Sequence, residues 1–209
     1  MKISILLPYK ENFSPNYPGA VSLFVNDTLK LSRYKKITKV YGNTNYKKKF
    51  LKNYKNIRLK KLFFGSQSEN YMDEFIKLEK LQPSNIIEIH NRPHYLKYLI
   101  NEGIKSKFVL YFHNDPLTMT GSKSLSERKY LTNICEKIIF NSLWSKKRFL
   151  ENISSGSINS EKLIVIFQSA SKNKVNIKKK KKWITFVGKL NRSKGYDIFG
   201  NSVLKILKK

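Results

Sequence analysis

The sequence predicts an α/β fold, a doubly wound parallel sheet, and three observations carry that expectation. Short apolar runs rich in β-branched residues recur along the chain, they are continuous and not alternating, and segments with helical spacing separate them. A strand covered on both faces needs apolar side chains on both, so short unbroken runs fit a sheet with helices on each side. Strand and helix in alternation turn the connections into crossovers, which makes the sheet parallel and Rossmann-like.

The strand runs are residues 3–7, 37–41, 57–64, 86–89, 108–112, 138–140, 163–167 and 184–187. Between the first two, residues 20–34 place Val21, Phe24, Val25, Leu29 and Leu31 along one side of a helix. Residues 68–81 do the same with Met72, Phe75, Ile76 and Leu78. Pro93 stands where a further helix starts and Gly103 where it ends, with His94 expected on its surface. Ser124 and Glu127 have capping-box spacing ahead of Tyr130, Leu131 and Ile134. Asn141 and Ser142 can cap a helix that runs through Phe149 and Leu150.

The pattern changes near residue 169. Residues 169–182 are polar and end in five consecutive lysines, 178–182, which repel one another and favour an extended, solvated linker. Residues 1–168 therefore read as one Rossmann-like domain, and residues 183–209 as the start of a second: strand 183–187, loop 188–194, helix from Gly195. One strand and one helix cannot bury a core, so the second domain is expected to be incomplete, the polypeptide truncated.

Of 209 residues, 42 are basic and 14 acidic, a net charge of +28. Only six of the basic residues are Arg, namely Arg33, Arg58, Arg92, Arg128, Arg148 and Arg192. Readers of base edges and phosphates favour the rigid fork of Arg, so the excess of Lys does not point to a specific nucleic-acid partner. Abundant Lys, Asn and Ile also fit codon bias. If the charge acts, it draws the chain to an anionic surface through long-range, salt-sensitive attraction. The single Cys135 excludes an internal disulfide framework and fits a cytoplasmic setting. Pro8 cuts the first apolar run too short for a signal peptide, and no run reaches a membrane span, so the chain is expected to be soluble or peripheral at the membrane.

Parallel α/β sheets bind ligands beyond the carboxyl ends of their strands, which selects four segments. The loop 8–19 ends in Pro18-Gly19-Ala20 at a helix start, where a small residue lets a ligand approach the helix N–H groups. His90-Asn91-Arg92-Pro93 closes one strand and can bind a sugar hydroxyl or an anion; caps explain Asn91 and Pro93 equally well. His113-Asn114-Asp115-Pro116 closes a wholly apolar strand. A histidine there can donate to a sugar hydroxyl or to charge developing on a leaving phosphate, while Asn114 and Asp115 can instead bond their own turn. Gly188-Lys189-Leu190-Asn191-Arg192-Ser193-Lys194-Gly195 gathers three cations before a helix, a cradle for a diphosphate. No Gly-x-Gly-x-x-Gly, Walker A, His-Glu-x-x-His or Gly-x-Ser-x-Gly motif is present, and nothing in the Cys and His spacing suggests a metal.

With these residues in place, the chain resembles glycosyltransferase family 4, retaining enzymes of the two-domain GT-B fold. The resemblance rests on the order of elements, Pro18-Gly19, and the strand ending in His113. It rests further on Cys135-Glu-Lys-Ile-Ile-Phe-Asn-Ser142 followed by Trp144 and Phe149, and on Phe186-Val-Gly-Lys-Leu190 leading into Lys194-Gly195. It implies that His113 contacts the donor sugar and that Lys189 and Lys194, with Gly188 and Arg192 beside them, hold the donor diphosphate. Lys189 stands where the family has Arg, and Ala20 where it has a second Gly. The implied donor is a nucleoside-diphosphate sugar, with no separate cofactor. The implied acceptor is a glycan or lipid-linked molecule, held by Gly19, His90, Asn91, Arg92, Asn114 and Asp115. The family's second domain carries a glutamate pair that this chain lacks, so the chain alone is expected to be inactive. Two other readings stand beside this one: a basic nucleic-acid-binding protein, which leaves His113 and the Gly188 loop unexplained, and a non-catalytic module that binds a membrane or an acceptor.

Overall fold

The computed structural model describes residues 1–59, 66–154, 156–169, 181, 183–188, 190 and 192–208. They divide into two compact units, Met1–Ser169 and Ala170–Lys209.

In the first unit, β1 (Ile3–Leu6), β2 (Thr38–Gly42), β3 (Tyr54–Asn56), β4 (Ile86–His90), β5 (Lys107–Phe112), β6 (Cys135–Phe140) and β7 (Leu163–Val165) form a sheet. Its order among the described residues is β3-β2-β1-β4-β5-β6-β7, and every pairing is parallel. The chain builds outward one way from β1, then crosses back and builds the other way from β4. That reversal is a topological switch point, and it lies between β1 and β4.

Helices cover both faces. α1 (Ala20–Leu31) lays Val21, Val25 and Leu29 on Ile5, Leu7 and Val40. The opposite face buries Leu6, Tyr41, Ile87, Ile89, Leu110, Phe112, Ile138 and Phe140. Against it pack α2 (Gln67–Leu81), α3 (Tyr95–Asn101), α4 (Leu125–Ile134) and α5 (Leu143–Leu150), which contribute Tyr71, Phe75, Tyr95, Leu131 and Phe149. Tyr71 is fully buried and donates to the Leu7 carbonyl at 2.8 Å, tying α2 to the end of β1. Each large side chain removed from water contributes about 2–3 kcal/mol, so this two-sided core is what fixes the strand ends in space.

Capping follows the sequence. Ser124 and Glu127 make both halves of a capping box, and the Ser142 side chain accepts from the Ser145 N–H. Gly103, at φ +74°, follows α3 in the left-handed conformation that suits a glycine.

Four expectations are corrected. The run at 57–64 does not begin the third strand: β3 ends at Asn56, Ile57 is buried just past it, and residues 60–65 lie outside the described residues. The first helix ends at Leu31, not at 34, and Leu31 itself is 91% exposed, off the apolar stripe. His94 is half-buried at the start of α3, not a surface helix residue. No strand forms over the described residues 183–188, where Trp183, Ile184 and Val187 are exposed. A strand needs a hydrogen-bonded neighbour, and the described residues of the second unit offer none. That unit's helix, α6 (Tyr196–Leu207), starts after Gly195 at φ +69°. The Lys-rich run at 178–182, apart from Lys181, lies outside the described residues.

Candidate functional site

Strand periodicity builds the site. Side chains two apart on a strand share a face, so β4 presents Glu88 and His90 together, while β5 and the residue after it present Tyr111 and His113. The register sets His90 beside Tyr111. Phe24 of α1 closes over them, with ring centroids 5.0 Å from His113, 5.7 Å from Tyr111 and 6.1 Å from His90. The cluster sits at the carboxyl ends of β4 and β5, next to the switch point.

Three hydrogen bonds run through it in series. Glu88 Oε1 lies 2.8 Å from His90 Nε2, His90 Nδ1 lies 2.8 Å from His113 Nε2, and His113 Nδ1 lies 2.7 Å from Gln168 Nε2. His90 is fully buried, His113 is half-buried and Gln168 is exposed, so the chain leads from the interior to the rim. Burial first, and then the neighbouring His90, hold the His113 imidazole down to about 3, so it is neutral at physiological pH. Burial, with the Glu88 carboxylate second, pushes the Tyr111 phenol up.

The backbone at His113 is clamped from both neighbouring strands. Asn91, in a left-handed conformation at φ +53°, accepts from the His113 N–H at 2.7 Å, and Asn141 donates to the His113 carbonyl at 2.8 Å. Arg92 Nη1 donates to the Asn91 carbonyl at 2.8 Å, steadying that turn. Asp115 caps the short turn Pro116–Thr118 through the Leu117 N–H and pairs with Arg148 of α5, 3.2 Å away. Asn114 is exposed between them.

These placements change several roles expected from the sequence. His90 and Asn91 are buried and face His113, so neither presents its side chain to an acceptor. Asp115 is committed to its turn and to Arg148. Gly19 does begin α1, but the Glu11 carboxylate occupies that helix start, accepting from the Ser22 N–H at 2.9 Å. A Cβ at position 19 would overlap Glu11, so the glycine makes room for that internal anion. Arg92 and Asn114 keep exposure at the rim.

In the second unit, Gly188 is described and Lys189 lies outside the described residues. Arg192 and Lys194 fall in a short turn, Arg192–Lys194, ahead of α6. Arg192 is largely exposed and lies 3.9 Å from Asp197 in the first turn of that helix.

Glu88, Gln168 and the clamp made by Asn141 were not foreseen. A charged residue two positions before His90, inside an otherwise apolar strand, was the available signal for Glu88. Gln168 carries none.

The fold and this cluster together define a class: a Rossmann-like parallel α/β domain with a polar constellation at its switch point. No family model matches the chain, and no curated protein matches it in sequence. Among solved structures, Anabaena HepE in complex with UDP and glucose shares the fold with a TM-score of 0.54 at 15% identity, over 80% of this chain and 44% of that one. A second HepE structure, in complex with UDP, gives a TM-score of 0.49 at the same identity and coverage. The chain thus spans less than half the length of HepE. Among the described residues, no helix is long and apolar enough to cross a membrane.

Proposed function

We propose that this chain is part of a glycosyltransferase that moves a sugar from a nucleoside-diphosphate sugar to an acceptor hydroxyl. The observation that carries the reading is the His113 cluster, held from three strands at their carboxyl ends, beside the switch point and on the rim where such sheets bind ligands. A fold shared with a protein crystallised with UDP and glucose supports it.

In this reading His113 meets the donor sugar, and Arg92 and Asn114 at the same rim face the acceptor. Gly188, Lys189, Arg192 and Lys194 hold the diphosphate, where a helix start and clustered cations favour anions. Lys189 supplies charge without the bidentate fork of Arg. Transfer with retention, and an acceptor that is a glycan or lipid-linked, complete the proposal. The net charge of +28 would hold the chain against an anionic membrane, at about 1 kcal/mol for each basic residue near the surface.

Calorimetric titration of the full 209-residue chain with UDP-glucose tests the reading. Saturable binding, weakened in Lys194→Ala, is expected. Failure of UDP-glucose and of other nucleoside-diphosphate sugars to bind would overturn it.

A further inference from the structure

We propose that Glu88 and His90 are positioning residues that fix His113 in one tautomer, with its Nδ1 lone pair aimed at the rim, and that Gln168 holds the place of a ligand hydroxyl. The inference rests on the glycosyltransferase reading for the identity of that ligand, and on hydrogen-bond geometry around a neutral His90 for the tautomer.

The argument follows the protons. Three bonds in series join four groups, and each bond needs one donor and one acceptor. A carboxylate only accepts, so the link from Glu88 requires the proton on His90 Nε2. The proposed relay has His90 neutral: its Nδ1 then accepts, and the next proton sits on His113 Nε2. His113 Nδ1 is then a lone pair. Its partner must donate, which the amide of Gln168 does. One carboxylate, on the far side of the buried His90, sets the direction of every bond out to the rim.

The environment holds the two rings in place. His90 is fully buried and stacks on Tyr111 with ring centroids 4.7 Å apart, and Phe24 covers His113 edge-on at 5.0 Å. The depressed basicity of His113 agrees with a neutral ring. Among the described residues, the titratable groups in contact with the pair are Glu88 on β4 and Tyr111 on β5; Phe24 of α1, Asn91 and Asn141 bring no charge.

The consequence is a choice between partners. Sequence reasoning left His113 able to donate either to a sugar hydroxyl or to a leaving phosphate. A lone pair at Nδ1 cannot donate to a phosphate oxygen, which is itself an acceptor. It takes a hydrogen bond from a hydroxyl, and a hydroxyl can replace the exposed Gln168 amide with the same polarity. His113 therefore selects a hydroxyl-bearing group.

Nitrogen-15 NMR of the histidine side chains in the full chain decides the matter. The chain has only three histidines, so His94→Gln and His113→Gln variants together complete the assignment. At neutral pH, His90 and His113 are expected to carry their protons on Nε2, with Nδ1 bare in both. Glu88→Gln replaces the acceptor-only end by an amide that can present either atom, and the single tautomer of both rings is expected to be lost to a mixture. Glu88→Asp, which keeps the carboxylate, is expected to restore it. A proton on His113 Nδ1 in the unsubstituted chain, or an unchanged tautomer in Glu88→Gln, overturns the relay whether or not any nucleotide binds. Added UDP-glucose should shift His113 Nδ1, and UDP alone should not. The expected tautomers without a UDP-glucose response would overturn the hydroxyl as ligand and the glycosyltransferase reading, while the relay itself stands.

Discussion

Holding a histidine neutral inside a folded protein has a measurable cost in acid. In the unfolded chain a histidine titrates near 6.5, whereas burial, reinforced by the neighbouring His90, keeps His113 down to about 3. Between those values the unfolded chain binds a proton that the folded one refuses. Stability therefore rises with pH across the window and falls as the solution is acidified through it, with no effect at neutral pH. One proton is worth about 1.4 kcal/mol per pH unit, so acidification from pH 6.5 to about pH 4.5 is expected to remove roughly 2.5 kcal/mol through this residue. That is a large part of a typical folding free energy of about 5–15 kcal/mol. Urea unfolding at several pH values in that range, for the unsubstituted chain and for His113→Gln, measures it. Gln keeps a donor toward His90 but does not titrate. The unsubstituted chain should lose stability more steeply than the variant, and parallel curves would refute the claim that His113 is held neutral.

Other substitutions probe the scaffold that places the site. Gly19→Ala would drive its methyl into the Glu11 carboxylate and displace it from the start of α1, with an expected loss of about 1 kcal/mol by thermal or urea unfolding; an unchanged stability would show that Glu11 adds nothing there. Glu79 is buried and accepts from the Ser4 hydroxyl and from the hydroxyl and N–H of Ser84; because the two hydroxyls lie 2.6 Å apart and can pair with each other, Glu79→Ala leaves the Ser84 N–H and one hydroxyl without an acceptor. A loss of about 1–3 kcal/mol or more is expected from unfolding curves, with little change at the distant rim.

Residues 86–89, apart from Glu88, and 108–112 announce two central strands because a strand covered on both sides is apolar on both faces, and Ser124 with Glu127 announces α4 because its cap needs those side chains at that spacing. The edge behaved differently. β3 is Tyr54–Asn56, with β2 its only hydrogen-bonded neighbour among the described residues, and two of its three residues are exposed, so it carries no apolar signature. Ile57, which looked like a strand start, is instead a buried anchor just beyond it. The apolar residues 184–187 looked like a strand, but strand formation depends on a partner that local sequence does not supply.

The site was legible as far as strand ends reveal it. His113 and His90 stood out because polar residues closing apolar strands are hard to explain by packing. Their joint action was not legible, since it depends on the parallel register that brings residues 90 and 111 side by side. Gln168 meets His113 across 55 positions of sequence, a contact that only the order of β5, β6 and β7 creates. The place of Glu11 was not legible for a related reason: its carboxylate fills the helix start beside Gly19 from within the same loop, and a linear reading gives no reason to fold that loop back.

Saturation-transfer NMR with UDP-glucose tests the central claim most directly, because it reports which part of the ligand lies against the protein. If the sugar meets the rim at His113, glucose protons should receive saturation in the unsubstituted chain. In His113→Ala that transfer should fall while transfer to the uridine protons persists. Equal transfer to the glucose protons in the two proteins would contradict the account.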